Sequence, residues 1–318
     1  MRYYAAPMEG LTGYIYRNAH HVCFPGADMY FTPFVSPNQN HEFSSREFND
    51  LLPENNANVP VVPQVLCANA DDFLWAEGAI ADMGYSRVDL NLGCPSPTVV
   101  TKGKGSGMLA DPEGLDAFLD AVFSKARTNI SVKTRIGISN EGEFDRILEV
   151  YNRYPICELT VHARVQTDMY RRPARPAALP KALTACRFPV IYNGDLFSPE
   201  DAAGLTGTHS GLSGMMFGRG LIANPALILA CKGLEMPGAD AVRTFHDMLF
   251  EGYRQTMPGD RAMLFKMKEL WLYMGSLFPE RGNFDKKLKK VSRADEYAAL
   301  AADLFKRCEP DFGTRFCP

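Results

Sequence analysis

Residues 89–97 read DLNLGCPSP. Asp89, Leu90, Asn91 and Leu92 read as the end of a strand, and Gly93, Cys94, Pro95 and Pro97 follow almost at once. Proline lacks the N–H that a sheet ladder needs, so the chain must leave the strand where the thiol stands. A strand that stops on such a corner and gives way to a loop is one half of a β–α unit. How often that unit repeats settles the architecture.

It repeats eight times. Short apolar, β-branched or aromatic runs stand at 2–6, 29–34, 59–67, 87–92, 131–136, 158–162, 190–193 and 212–217. Helical segments separate them. Residues 71–83 follow Asn69, and 114–125 follow Asp111-Pro112, a capping residue with proline at the first helical position. Leu115, Phe118, Leu119 and Val122 there share one face. Asn140 with Glu143 resembles a capping box, and Ser198-Pro199-Glu200 opens another helix. Eight strands about thirty residues apart predict an α/β fold, a (β/α)8 TIM barrel. A doubly wound open sheet is the rival, and the count of eight favours the barrel. Strand signals stop near residue 238, whereas 245–253, 262–274 and 294–307 read as helices. The expected organisation is a catalytic barrel over 1–238 and a small helical domain over 239–318.

Of the 318 residues, 46% are hydrophobic and 22% charged, an ordinary globular balance. The net charge of -3 does not advertise a polyanionic partner, yet 239–318 holds 14 Lys+Arg against 12 Asp+Glu. The eight cysteines make no C-x-x-C pair and no zinc or iron–sulfur spacing, so no metal is expected. Scattered thiols suit a reducing cytoplasm. MRYYAAPMEG lacks a signal peptide's apolar core, and no 18-residue apolar run is present. The expectation is a soluble cytoplasmic protein, monomeric and off the membrane.

In such barrels chemistry gathers at the C-terminal ends of the strands. Here those ends carry Pro7 and Met8, Gln64, Asn91 and Cys94, Lys133 and Arg135, His162 and Arg164, Asn193-Gly194-Asp195, and Gly218-Arg219. The last two groups resemble a phosphate cradle. Their glycines let backbone N–H groups approach an anion, Arg219 adds charge, and Asn224-Pro225 is expected to start a helix facing it. Lys133 has two readings: a Schiff-base amine, or a positive charge beside a cofactor that becomes anionic. His162 is read either as a satisfied core histidine or as a catalytic or cofactor-contacting one. Gly105–Ala110 matches G-x-G-x-x-A but follows a long loop instead of a strand, so a dinucleotide fold there is discounted. Residues 95–110 are expected instead to be a mobile flap hinged on glycines.

Taken together these pieces resemble the dihydrouridine synthases, flavin enzymes that reduce uridine in tRNA. The resemblance rests on APMEGLTG from Ala6, PQVLC around Gln64, DLNLGCPSPTVVTKGKGSGMLADP, VKTRIG, LTVHAR followed by Tyr170, VIYNGDLFSPEDA and GMMFGRGLIANP. FKMKELWLYM at 265–274 is similar to a basic, aromatic stretch of the family's tail. Relatives commonly read HGRT where this chain has His162-Ala163-Arg164-Val165, and often have histidine in place of Glu269.

The resemblance implies FMN, reduced by NADPH or NADH. It places Gln64, Lys133 and His162 along the isoalloxazine edge and ribityl chain. Pro7 and Met8 would lie below the ring, and Asn193, Gly194, Asp195, Gly218 and Arg219 at the phosphate. Asn91 and Arg135 would lie near flavin and uracil. Reducing the uracil C5=C6 bond needs a proton at C5. A thiol of pKa near ~8.5 is protonated at neutral pH yet acidic enough to release it, which makes Cys94 the expected general acid. The implied RNA contacts are Arg135, Arg164, Arg171, Arg172 and Lys266, with Lys286, Lys287 and Lys290 in the tail. The rivals are a flavin barrel acting on a free pyrimidine or another small alkene, a Schiff-base lyase using Lys133, and a non-catalytic RNA-binding barrel.

Overall fold

The computed structural model describes residues 1–317; Pro318, the end of the expected helical segment, lies outside the described residues. Nine strands form one sheet: β1 (Arg2–Ala5), β2 (Met29–Phe31), β3 (Val61–Val62), β4 (Gln64–Val65), β5 (Arg87–Leu92), β6 (Asn129–Arg135), β7 (Leu159–His162), β8 (Val190–Asn193) and β9 (Gly214–Phe217). Their order is β3-β2-β1-β9-β8-β7-β6-β5-β4, all parallel. The two ends of that order are consecutive in sequence, separated by Pro63 alone. A single expected strand, 59–67, is therefore cut in two by a residue that cannot donate to the ladder. β3 pairs with β2, and β4 with β5. Around the break the Gln64 amide donates to Thr32 Oγ1 at 3.0 Å, the Pro63 carbonyl accepts from Asp89 N at 2.8 Å, and Val35 bridges to Val65. The ring closes there, and nine strands fill the eight positions of a TIM barrel.

Burial explains which end of the barrel is open. Outward strand residues such as Val88, Leu90, Val132, Leu159 and Val161 join the main core beneath the surrounding helices. Inside the barrel sits a smaller apolar cluster of Tyr4, Ala6, Phe31, Val62, Ile191 and Met216. Below it the buried Glu158 pairs with Arg2 and Arg87 and accepts from the Tyr4 hydroxyl at 2.9 Å. That ion cluster plugs the floor. Toward the other end the register sets Asn91 beside Lys133, and Arg135 beside His162 and then Asn193. Polar side chains thus converge on one mouth.

Asp111 and Ser198 cap their helices as expected, accepting from Gly114 N at 3.0 Å and Asp201 N at 3.4 Å. Asn140 does not. The helix there begins at Glu143, whose carboxylate takes the N–H groups of Ile138 and Asn140, while the Asn140 side chain accepts from Gly142.

Beyond β9 the chain is helical, with long helices at Ala239–Thr256, Gly259–Met274 and Ala294–Arg307. A further short helix, Phe284–Lys290, carries too few apolar residues to show a period. The tail's core, which includes Phe245, Trp271, Phe284 and Tyr297, is shared with Tyr16 and Ala19 of the helix Tyr14–Cys23, with Phe24 just after it, and with Ile222 and Leu229. Sharing that core anchors the tail directly on the barrel rim. Among the described residues no helix is long and apolar enough to cross a membrane, and no cluster of three metal-ligating side chains is found.

Candidate active site

A directed chain of hydrogen bonds builds the Cys94 corner. Asp89, fully buried, accepts from Ser131 Oγ and from Gln64 Nε2, both at 2.7 Å. Gln64 Oε1 then accepts from Asn91 Nδ2 at 2.7 Å, and Asn91 Oδ1 receives the backbone N–H groups of Gly93 at 3.0 Å and Cys94 at 2.9 Å. A carboxylate only accepts, so its position forces the orientation of each amide in turn. Burial raises the Asp89 carboxyl above its ordinary value, against the Ser131 and Gln64 bonds. From the other side Arg135 donates to the carbonyls of Gly93, Val165 and Met169 at 2.9, 2.8 and 2.9 Å. It has no exposed surface and ties the loop after β5 to the loop after β7. Arg135→Met leaves three carbonyls, two of them buried, without these donors and is expected to lower the unfolding free energy by roughly 3 kcal/mol in a urea titration.

Part of the segment expected to be a hinged flap packs against the Cys94 corner, while Pro97, Thr98 and 101–103 are exposed. Ser106 donates to the Cys94 carbonyl from N at 3.1 Å and from Oγ at 2.9 Å, and Gly105–Ala110 forms a short 3-10 helix with Ser106 and Leu109 buried. Gly105 sits at φ +58°, where a Cβ would come within 2.8 Å of the Cys94 carbonyl oxygen. Its lack of a Cβ permits this close approach to the cysteine. No strand leads into it, in keeping with the discounted dinucleotide motif.

Cys94 opens into a cavity of about 400 Å³ together with Pro7, Met8, Gln64, Asn91, Lys133 and His162. Lys133 forms no ion pair among the described residues; burial and the Arg135 guanidinium push its ammonium down to about 8. Burial and four neighbouring cations, Lys133 first, hold His162 well below the usual imidazole range. The ring is neutral, and its Nε2 lies 2.9 Å from Arg164 Nη1, which has only protons to offer, so the ring proton resides on Nδ1. Burial lifts the half-buried Cys94 thiol above its ordinary value, opposed by the Ser96 amide and the charges of Arg135 and Lys133. At neutral pH it is a thiol.

An adjoining cleft is lined by Arg164, Asn193, Gly194, Asp195, Gly218 and Arg219. Asp195 accepts from Arg164 Nη2 at 2.6 Å, Arg219 Nη2 at 2.9 Å and Ala174 N at 2.8 Å. Burial works the other way, yet these contacts hold its carboxyl below the ordinary range. Gly194 has φ +145°, and a Cβ there would stand 2.8 Å from Ala174 Cβ. Asn193 Nδ2 donates to the Met216 carbonyl at 2.7 Å. A helix, Leu227–Lys232, does follow Asn224-Pro225, but the one whose start lines this cleft is Arg219–Ala223. Asn224 instead donates to the Phe312 carbonyl at 3.0 Å and accepts from Ala226 N.

A family model described as "Dihydrouridine synthase" matches residues 4–308. The chain belongs to the dihydrouridine synthase family. A "Probable tRNA-dihydrouridine synthase" of Staphylococcus epidermidis is 31% identical over 231 residues, 69% of this chain and 68% of that protein. A "tRNA-dihydrouridine(16) synthase" of Neisseria meningitidis is 27% identical over 253 residues, 77% and 76% of the two chains. The solved structure of morphinone reductase in complex with tetrahydroNAD shares the fold, at a TM-score of 0.52 and 12% identity over 77% of this chain and 90% of that one.

Within this family member the remaining expected residues fall in four places. Arg164, 2% exposed, is a clamp like Arg135: it donates to the Arg172 carbonyl at 2.7 Å as well as to Asp195. Arg171 and Arg172 are exposed and flank an outer cavity of about 650 Å³ beside Asp195. Lys266 meets the Gly10 carbonyl and lies 3.4 Å from Glu269. Lys286, Lys287 and Lys290 lie away from the cavity on the exposed face of Phe284–Lys290, without ion pairs among the described residues.

Sequence reasoning passed over several lining residues. Tyr170, half exposed, sits 5.4 Å from both the Arg135 and the Arg219 guanidinium. Glu269 and Tyr273 reach the Cys94 cavity from the tail helix. Their spacing of four marks one helix face, which was the available signal. Residues 315–317 wall the outer cavity, with Arg315 3.0 Å from Asp201 and the Phe316 ring against Phe197 and Tyr273.

Proposed function

We propose that the chain reduces the C5=C6 bond of a uridine in tRNA to give 5,6-dihydrouridine, with FMN as cofactor and NADPH as reductant. The observation that carries this reading is a protonated thiol, Cys94, on a corner fixed from both sides, facing the same cavity as an unpaired Lys133 and a neutral His162.

The residues present fit FMN. An ammonium with no protein counter-ion suits an edge that gains negative charge, and the glycine turns with Arg219 suit a phosphate. Lys133, His162 and the free valences of Gln64 would hold the ring and ribityl chain over Pro7 and Met8. Asn193, Gly194, Gly218 and Arg219 would hold the phosphate, with the Asp195 carboxylate at that end fixing the Arg219 guanidinium. When bound and reduced, the flavin supplies a hydride for C6 of the uracil. Cys94 supplies the proton for C5 from its Sγ. Asn91 and Arg135 set where that sulfur stands, the first through the corner's N–H groups and the second through its carbonyl. His162, neutral, offers a donor without adding a charge.

The target uridine must leave its stack to enter the cavity, which calls for a cationic surface outside the mouth. The barrel over 1–238 then carries the chemistry and 239–318 orients the RNA. Reversing Lys286, Lys287 and Lys290 to glutamate is expected to weaken tRNA binding and flatten its salt dependence, leaving reduction by NADPH unchanged. Filter binding across a salt series measures it.

The test of the reaction is anaerobic. The FMN-loaded protein is reduced with NADPH, freed of excess reductant, and mixed with unmodified tRNA while the flavin bands are followed. Their return with tRNA but not with free uridine supports the reading. Reoxidation by free uridine instead points to a small-alkene reductase, and no flavin binding at all overturns both.

A further inference from the structure

The helix Gly259–Met274 presents three faces. Leu264, Met267, Leu270 and Trp271 are buried in the tail, and Glu269 and Tyr273 reach the Cys94 cavity. The third face carries Phe265 at 66% and Leu272 at 72%, the most exposed large hydrophobic side chains among the described residues. They stand seven residues apart, two turns along one stripe. Neither packs into a core.

Their surroundings are basic. Phe265 borders a groove of about 950 Å³ in which every charged lining residue is a cation: Arg261, Lys266 and Lys268. Lys266 Nζ stands 5.9 Å from the Phe265 ring, and Arg261 forms no ion pair among the described residues. Lys268 donates to the Val291 carbonyl at 2.7 Å, which joins the groove to the start of the 291–293 turn and, just before it, the exposed Lys289 and Lys290. An accessible aromatic face framed by cations, with no carboxylate on the groove wall, is complementary to an unstacked base flanked by phosphates. Phe265 also lies one helical turn from Glu269, at the edge of the active-site mouth.

We propose that Phe265 is a stacking platform for an unpaired nucleotide of tRNA close to the target uridine, with Arg261 and Lys266 beside its phosphates. The proposal rests on the tRNA reading above and adds to it a contact made outside the reacting cavity. A base held there keeps the distorted loop open while its neighbour enters.

The test uses the FMN-loaded full chain. Phe265→Ala is expected to raise the Kd for unmodified tRNA about ten-fold. Reduction by NADPH and the melting temperature should not change, and reoxidation at saturating tRNA should stay within about two-fold. Phe265→Trp is expected to recover the affinity and to show tryptophan emission quenched by tRNA. Unchanged affinity in Phe265→Ala overturns the proposal. So does sedimentation showing a wild-type dimer that Phe265→Ala turns into monomers with tRNA affinity intact, for the stripe is then an interface between copies. Because the readout is binding, a ten-fold loss supports the platform even where the flavin is not reoxidised, whereas that second result alone defeats the proposed reaction.

Discussion

Cys94→Ala is expected to slow single-turnover reduction of tRNA uridine by at least about 10²-fold while NADPH still reduces the enzyme at the wild-type rate. In the proposed reaction the two half-reactions separate, because there the thiol enters only the second. Its corner is held at the N–H side by Asn91 and at the carbonyl side by Arg135 and Ser106, so removing Sγ leaves the backbone in place. The loss then reports the proton and not a collapsed site. Cys94→Ser should remain slow, since a hydroxyl is a far weaker acid. The pH profile follows from the direction of the shift. Burial raises the thiol above its ordinary value, and a general acid acts in its protonated form. The second half-reaction should therefore be level through neutrality and fall only above the ordinary thiol range. In Cys94→Ser that fall should vanish. Equal rates for Cys94→Ala and wild type would remove Cys94 from the reaction.

Much of this site was legible because its chemistry is local to strand ends. Asn91, Cys94, Lys133, His162 and Asn193 each close a short run whose strand character is set by neighbouring residues, and parallel register brings them to one mouth. Pro63 was visible as a residue unfit for a ladder, but its consequence, a strand shared between two neighbours, appears only when the ring closes. Arg135 shows the other limit. Its position on β6 was readable, yet whether it faces substrate or protein depends on which carbonyls turn inward. One of them belongs to Met169, a non-glycine residue at φ 52° in the loop after β7. Glu269 and Tyr273 share a helix face by their spacing, and Phe316 follows the last helix, but which cavity each reaches is set by packing between segments distant in the chain.

Lys133→Met is expected to move stability and function in opposite directions. In the folded protein the ammonium is pushed from its ordinary value of 10.5 to about 8, chiefly by burial and then by Arg135. Below pH 8 the lysine is charged in both folded and unfolded chains, and the fold bears the full penalty of enclosing that charge. Between about 8 and 10.5 the unfolded chain still holds the proton that the folded one has released, so stability rises with pH across that window. The FMN-free variant should thus gain roughly 1–3 kcal/mol at pH 7, less than the full shift implies because the side chain faces an open cavity. The gain should shrink toward pH 10 in urea titrations of both proteins. Function should go the other way. Without a fixed positive charge at the ring edge, FMN should dissociate more readily and NADPH should reduce what remains roughly 10²-fold more slowly. For the wild type, kcat/KM for NADPH should decline at alkaline pH as the FMN-loaded enzyme loses this charge, and the variant should lack that limb. A variant that is less stable at neutral pH and still retains FMN would mean that Lys133 is held for packing, and that the cavity's unpaired charge has no part in the reaction.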